Sequence, residues 1–412
     1  MKDKILRLSD FAIYWSIIIM PFSVAIAPAI ANTFIGFFSA FFIIKRLITR
    51  KAFTTDRLTL FFFLLFLTVS AISFRNSVSY STSFQGIVKL LKYILIFLVC
   101  SEEIRDKRHI SRIIISICSG VCLASLDALW QMAFGYDFIH HIGIQAAIGL
   151  PRPTAAFPNP NVFGIYMTAL TPLIFGLALL YFKGKKRLFM FLPAILGAAG
   201  IYLTLSRGAG LAIYLAVLFL CVAGKKKLFT AGLVAILIIY PFVMPKNIKQ
   251  WAKDSRYNPM ILMCGEERVS IQNNTINMIK HHPFIGVGVN TFSRNYGKYK
   301  TAEAEKYAPT PDTIYAHNIY LQMAGETGLL GLLAFILFLF QVFRRAFKTL
   351  PRLNDGYLKI TALSLIACMI AFLINGLTET SLYYPRVAMI FWYLIGLSLA
   401  LGKFANPKEN AG

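Results

Sequence analysis

Apolar stretches long enough to cross a bilayer recur twelve times along this chain, and no other feature narrows its possible folds so far. A transmembrane helix needs about 20 mainly apolar residues. Runs of that order occupy 11–30, 33–49, 58–74, 84–100, 110–133, 161–182, 188–205, 208–223, 228–244, 317–343, 358–377 and 386–402. Lys89 and Lys92 interrupt the fourth run; lysines at that depth must snorkel or face the bundle. Hydrophobic residues make up 57% of the 412 and charged residues 15%, against about 45–50% and ~25% in a soluble domain. A water-soluble enzyme, a disordered chain, collagen and a small disulfide scaffold are excluded. The expectation is an all-α polytopic membrane protein with about 12 transmembrane helices.

The charge balance, Lys+Arg 42 against Asp+Glu 18 for a net +24, would suggest nucleic acid in a soluble protein. Here the cations cap apolar runs, so no nucleic-acid partner is expected. With the N-terminus in the cytoplasm, alternate connections on that side and both tails hold 26 Lys and Arg, against 4 in the short connections opposite. That bias orients the chain with both termini inside. Ala29-Ile30-Ala31 resembles a signal-peptide cleavage site, but the run before it exceeds a typical h-region, and a retained first helix is expected.

The outer segment 245–316 divides the chain into an N-terminal bundle of about nine spans (1–244), an outer loop domain and a C-terminal bundle of about three (317–412). The segment carries ten basic residues, and loops this long are usually functional. Within it, Ile271, Ile276 and Ile279 recur near helical spacing, Pro283 would stop that helix, and Gly286 and Gly288 make a turn. The second outer connection, 134–160, is too rich in proline for helix. A P-loop and a dinucleotide fingerprint are absent. Of six cysteines only Cys264 lies in the large outer segment, and no Cys/His spacing suggests zinc.

Four arginines and one histidine stand out on the outer side. Arg207 lies in 204-TLSRGAG-210 between two apolar runs. A headgroup anchor would explain it, but outer caps are rarely charged here, and Gly208 and Gly210 would let another group approach the backbone. Arg268 opens the helical piece of the outer segment, where a solvated face is the competing account. Arg152 and Arg386 are single arginines of outer connections, equally suited to a lipid surface. His317 opens the tenth run, flanked by Tyr315, Asn318 and Tyr320. An ionisable group where a polar loop meets the membrane is costly and reads as functional. His109 reads as solvated on the cytoplasmic side; His140, His141, His281 and His282 form pairs without a carboxylate ladder, so no metal site is expected.

Guanidinium groups bind phosphate oxygens bidentately and stay charged. Two could hold a pyrophosphate and stabilise it as it leaves, while a histidine takes the proton of an attacking hydroxyl. ATP is not expected outside the cytoplasmic membrane, so the energy must arrive in the donor. A lipid-linked pyrophosphate sugar meets that need. No Asp-x-Asp pattern offers a metal-nucleotide site, so the transfer is expected to need no metal and no cofactor.

The stretches 204-TLSRGA-209, Arg268 followed by 282-HPFIGVGVNTF-292, 315-YAHNIYLQMAGETGLLGLL-333 and 152-RPTAAFPNPNVFG-164 resemble the O-antigen ligase/polymerase superfamily of bacterial membrane proteins. The third is the most specific. The resemblance implies a GT-C-type fold with one large periplasmic loop containing short helices. It also implies inverting, metal-free transfer of a glycan from undecaprenyl pyrophosphate at the periplasmic face of the inner membrane. In the ligases the acceptor is a sugar hydroxyl of lipid A–core. Arg207 and Arg268 match the pyrophosphate-gripping arginines and His317 the histidine that activates the acceptor. Arg152, Asn161, Asn318, Glu326 and Arg386 are secondary candidates. Glu326 lies nine residues beyond His317, about 13.5 Å along a helix, and so reads as a packing buttress.

The same donor site would serve a polymerase, which uses a second lipid-linked repeat unit as acceptor, or a protein-directed transferase, many of which carry an added soluble domain absent here. A single large late loop favours the ligase. A lipid-linked glycan transporter is the reading from another class, but it predicts basic residues spread through the helices and matching halves. Neither is visible.

Overall fold

The computed structural model describes residues 1–147, 150–243, 246–301 and 314–405. All twelve apolar runs are helical: α1 (Lys2–Ile26), α2 (Pro28–Thr49), α3 (Arg57–Ile72), α4 (Tyr80–Glu103), α5 (Lys107–Phe134), α6 (Pro160–Gly176), α7 (Gly184–Leu203), α8 (Arg207–Ala223), α9 (Lys227–Val243), then α14 (Ile319–Thr349), α15 (Gly356–Asn375) and α16 (Pro385–Ala400). Between α9 and α14 lie the short helices α10 (Lys246–Asp254), α11 (Pro259–Cys264), α12 (Glu266–His281) and α13 (Phe292–Tyr296). Among the described residues, ten helices are long and apolar enough to cross a membrane; α8 and α9 are shorter, at 17 residues each. The latter are about 25 Å long, against a hydrocarbon core of ~30 Å. The chain is an all-α polytopic membrane protein apart from one two-stranded hairpin, β1 (Gln145–Ala147) with β2 (Leu150–Arg152), in the proline-rich outer connection.

Polar residues between apolar runs start the helices. Asp56, Asp106, Asn159 and Asp355 accept the third amide of α3, α5, α6 and α15 at 3.1, 2.7, 2.9 and 3.0 Å, satisfying donors a helix start leaves open. The aromatic core then joins α3, α4, α14 and α16. The Trp392 ring centroid lies 5.4, 6.2 and 5.5 Å from those of Phe63, Phe97 and Phe338. Helices α6, α15 and α16 run through the interior, whereas α9 has no buried residue.

Ion pairs tie together the connections that the charge bias placed on one side. Lys45 reaches Asp10 and lies 2.6 Å from Glu103; Arg46 lies 2.6 Å from Glu102, Lys107 2.5 Å from Asp355, and Arg345 3.8 Å from Asp56. The lysines inside α4 have partners: Lys89 donates to Asn290 at 3.1 Å and Lys92 to Asn32 at 3.4 Å. His109, expected in water, is buried instead. It sits in the first turn of α5, where its ring packs on Tyr14 of α1 at 4.1 Å.

In α12 the residues facing the protein are Ile271, Gln272, Asn274, Thr275 and Met278. Ile276 is exposed, so the isoleucine spacing does not mark the buried face. The packed side is mixed: Ile271 and Met278 join an apolar cluster with Val287, Phe292 and Ile314, while Gln272 and Asn274 hydrogen-bond to the His317 carbonyl and Tyr296.

The tenth run holds the largest departure. Helix α14 is broken at Gly328, whose backbone takes φ 71, ψ 179. Carbonyls of Gly325 and Glu326 accept Val287 N at 3.0 Å and Gly288 N at 2.9 Å; Leu329 N and Leu330 N donate to Pro283 O at 2.7 Å and Phe284 O at 3.3 Å. Four groups released by the break are thus satisfied by 283–288. A Cβ at Gly328 would meet the Phe284 carbonyl, so two positions 44 residues apart in the chain fit only through glycine. The uninterrupted part, 329–349, is about 31 Å long, enough to span the core alone. His317 therefore stands well outside this segment rather than opening it.

Candidate functional site

Four elements converge at the end of the bundle opposite the ion pairs: the start of α8, α12, the turn before α14, and the 376–384 connection between α15 and α16. Asn318 caps α14, accepting Tyr320 N at 2.9 Å and Leu321 N at 3.0 Å, and donates to Leu377 O at 3.1 Å. Ile319 N bonds Gly376 O at 2.8 Å. These bonds fasten the 376–384 connection to His317. His317 itself has φ 48, a left-handed conformation uncommon outside glycine and found where surrounding structure imposes it. Gln272 of α12 donates to the His317 carbonyl at 3.3 Å.

The centre of the cluster is a carboxylate the sequence reading did not single out. Glu379 is buried, with Arg268 Nη1 2.7 Å from one oxygen and His317 Nδ1 3.4 Å from the other. Arg268 also donates to Thr378 O at 2.9 Å. Burial pushes the Glu379 carboxyl up, but the Arg268 charge and the His317 contact outweigh it and hold it below the usual carboxylate range. A signal was present: Glu379 is an acid in a short outer connection of a chain with few acids, between two apolar runs.

Arg207 stands at the first turn of α8. It donates to Leu262 O at 2.5 Å, and its guanidinium lies 4.9 Å from the Trp251 ring centre. Its charge and that of Arg268 act on each other, and both act on Cys264. Gly208 explains the approach: a Cβ there would meet the Thr378 hydroxyl, whereas Gly210 faces open space. Arg152 donates to Thr204 O at 2.7 Å and to Asn161 at 2.8 Å, joining the hairpin, the start of α6 and the turn before α8. Burial, and after it the Arg268 charge, lower its pKa. Tyr384 packs on Tyr315, ring centres 5.7 Å apart, beside the same carboxylate.

Two other sequence candidates lie apart. Glu326 is buried and accepts Asn290 N at 2.7 Å, Phe292 N at 3.3 Å and Gln322 at 3.1 Å, so it holds the 290–292 turn. Arg386 is buried over the Phe157 ring, 4.2 Å from its centre, and donates to the carbonyls of Val24 (3.1 and 2.7 Å) and Ala156. Its donors tie α1 to the 150–160 connection. Arg386→Ala should therefore cost about 3 kcal/mol by stranding buried carbonyls. Thermal unfolding in detergent should register that loss, with turnover per folded molecule little changed.

Residues 192–336 match the family model described as O-Antigen ligase. The Exopolysaccharide production protein ExoQ of Rhizobium meliloti is 24% identical over 288 residues, which cover 66% of this chain and 61% of that protein's length. The matched stretch holds Arg207, Arg268 and His317, together with both partners in the break of α14. By that match the chain is shown to be similar to the O-antigen ligase/polymerase superfamily.

Proposed function

We propose that this chain is an O-antigen ligase, a GT-C-type glycosyltransferase of the bacterial inner membrane with its site at the periplasmic face. In this reading it moves a glycan from undecaprenyl pyrophosphate to a sugar hydroxyl of lipid A–core, and 245–316 acts as an outer domain between two bundles. The observation that carries the proposal is the buried Glu379 touching both Arg268 and His317.

A carboxylate on one ring nitrogen orients an imidazole and fixes which nitrogen faces the reactant. With Nδ1 toward Glu379, Nε2 of His317 is the nitrogen that takes the proton of the acceptor hydroxyl. The hydroxyl oxygen bonds to the anomeric carbon from the face opposite the pyrophosphate, whose C–O bond breaks, so configuration inverts. Electrons of that bond go to the pyrophosphate, where Arg207 and Arg268 meet the developing charge. Arg152, Arg207 and Arg268 less Glu379 leave an excess of two positive charges around the site. A pyrophosphate esterified at both ends has one ionised oxygen per phosphate, which matches. This donor set supplies through arginine the charge that a divalent ion supplies in other transferases.

The exopolysaccharide relative favours one second reading: the same donor chemistry with a second lipid-linked unit as acceptor, making a polymerase. The deciding experiment supplies purified protein with lipid-linked glycan and both acceptors. Product on lipid A–core supports the ligase, a lengthened lipid-linked chain supports the polymerase, and product on neither overturns the transfer reading. In the same assay Arg207→Lys should lose at least about 10-fold in turnover, because an ammonium cannot grip two oxygens at once. Equal rates for the two side chains would remove Arg207 from the site.

A further inference from the structure

The end of the bundle opposite His317 contains a polar cavity, about 350 Å³, between the end of α14, the start of α3 and the end of α16. It lies roughly 45 Å from His317 measured along α14. Arg345, Lys348, Arg352 and Lys403 line it, with hydroxyls of Thr55 and Ser398 in its wall. The nearby acids have other partners, and Glu102 also faces the charge of Lys403. Asp56 caps α3 and accepts Gln341 at 2.7 Å, with Arg345 only at 3.8 Å. Glu102 is enclosed by Arg46 and the amides of Thr54 and Thr55, and its backbone carbonyl takes Lys403 at 2.7 Å. Among the described residues, neither Lys348 nor Arg352 pairs with a carboxylate.

Arg345, Lys348 and Arg352 border a concave space with hydroxyl donors, and their charges exceed that of Asp56 by two. The chemistry such a space accepts is a tetrahedral oxyanion, held by guanidinium forks and hydroxyls. Leu399 and Ala405 form an apolar part of the wall, in keeping with a ligand that has a hydrocarbon side.

We propose that this cavity is a phosphate-binding site, separate from the Arg268–Glu379–His317 cluster, that takes the phosphate of an anionic lipid headgroup or of a soluble phosphate compound. The inference does not rest on the glycan-transfer reading.

The test uses the full chain in detergent, wild type and the Lys348→Ala/Arg352→Ala double variant, both positions being exposed. Native mass spectrometry compares retention of phosphatidylglycerol with that of zwitterionic phosphatidylcholine, and thermal unfolding is followed with added inorganic phosphate. The wild type should retain phosphatidylglycerol at least about 10-fold more than phosphatidylcholine, with the preference lost in the double variant. Restoration by the charge-conserving Lys348→Arg/Arg352→Lys pair would confirm that fold loss is not the cause. Stabilisation by inorganic phosphate without lipid preference, again lost in the variant, would also support the site and identify a soluble source. Lipid preference and phosphate response identical in wild type and variant would overturn the proposal.

Discussion

His317→Asn should leave the protein folded in the membrane and reduce glycan transfer by about 10²–10⁴-fold, the range a general base contributes. Asparagine is the sharper substitution than alanine here. Position 317 sits at φ 48, a conformation asparagine tolerates and alanine resists, so backbone strain is removed as an explanation for lost activity. The asparagine amide cannot accept the acceptor's proton at neutral pH. Thermal unfolding in detergent and turnover with lipid-linked donor, measured together, separate chemistry from folding. Transfer within a few-fold of wild type would show that the imidazole is not the base, whatever the arginines do.

Glu379→Gln is the second large effect. The amide keeps the shape but removes the charge that faces Arg268 and orients His317, and turnover should fall about 10²-fold or more. Glu379→Ala should in addition lose about 3–5 kcal/mol, because it leaves the half-buried Arg268 without its counter-charge. The pH dependence has a definite sign. The carboxyl is held below its ordinary 4.5 in the folded protein. Its stabilising contribution is therefore complete above that value and lost as pH falls through the lower folded value. Thermal midpoints between pH 7 and pH 3 should drop more steeply for wild type than for Glu379→Gln. Parallel curves would show that the pairing contributes nothing to stability.

The membrane class was legible because the bilayer demands long apolar runs and every one of the twelve is helical. The grouping of connections at one end of the bundle could also be read, since the lysines and arginines counted together there pair with acids of the same end. Arg268 and His317 could be singled out because charge is scarce where they stand. Glu379 was missed because its value lies in a pairing between two elements 62 and 111 residues away in the chain, and no local pattern records such a meeting. Arg386 drew attention for the same scarcity that marks Arg207, yet it serves backbone carbonyls; an arginine's partners depend on tertiary position. The helix α12 was legible from its isoleucine spacing, but its buried face was not, since that face mixes Ile271 and Met278 with Gln272, Asn274 and Thr275. The break at Gly328 was hidden in a continuous apolar run, since glycine is common in membrane helices.

That break has a bearing on how the chain enters the bilayer. A helix that keeps all its own hydrogen bonds can partition into lipid as a finished unit, but α14 cannot at its outer end. The amides of Leu329 and Leu330 donate to Pro283 and Phe284, and an amide left open in hydrocarbon costs several kcal/mol. The 283–288 turn must already be in place when this helix settles. Insertion of this helix and docking of the 283–288 turn thus become one event.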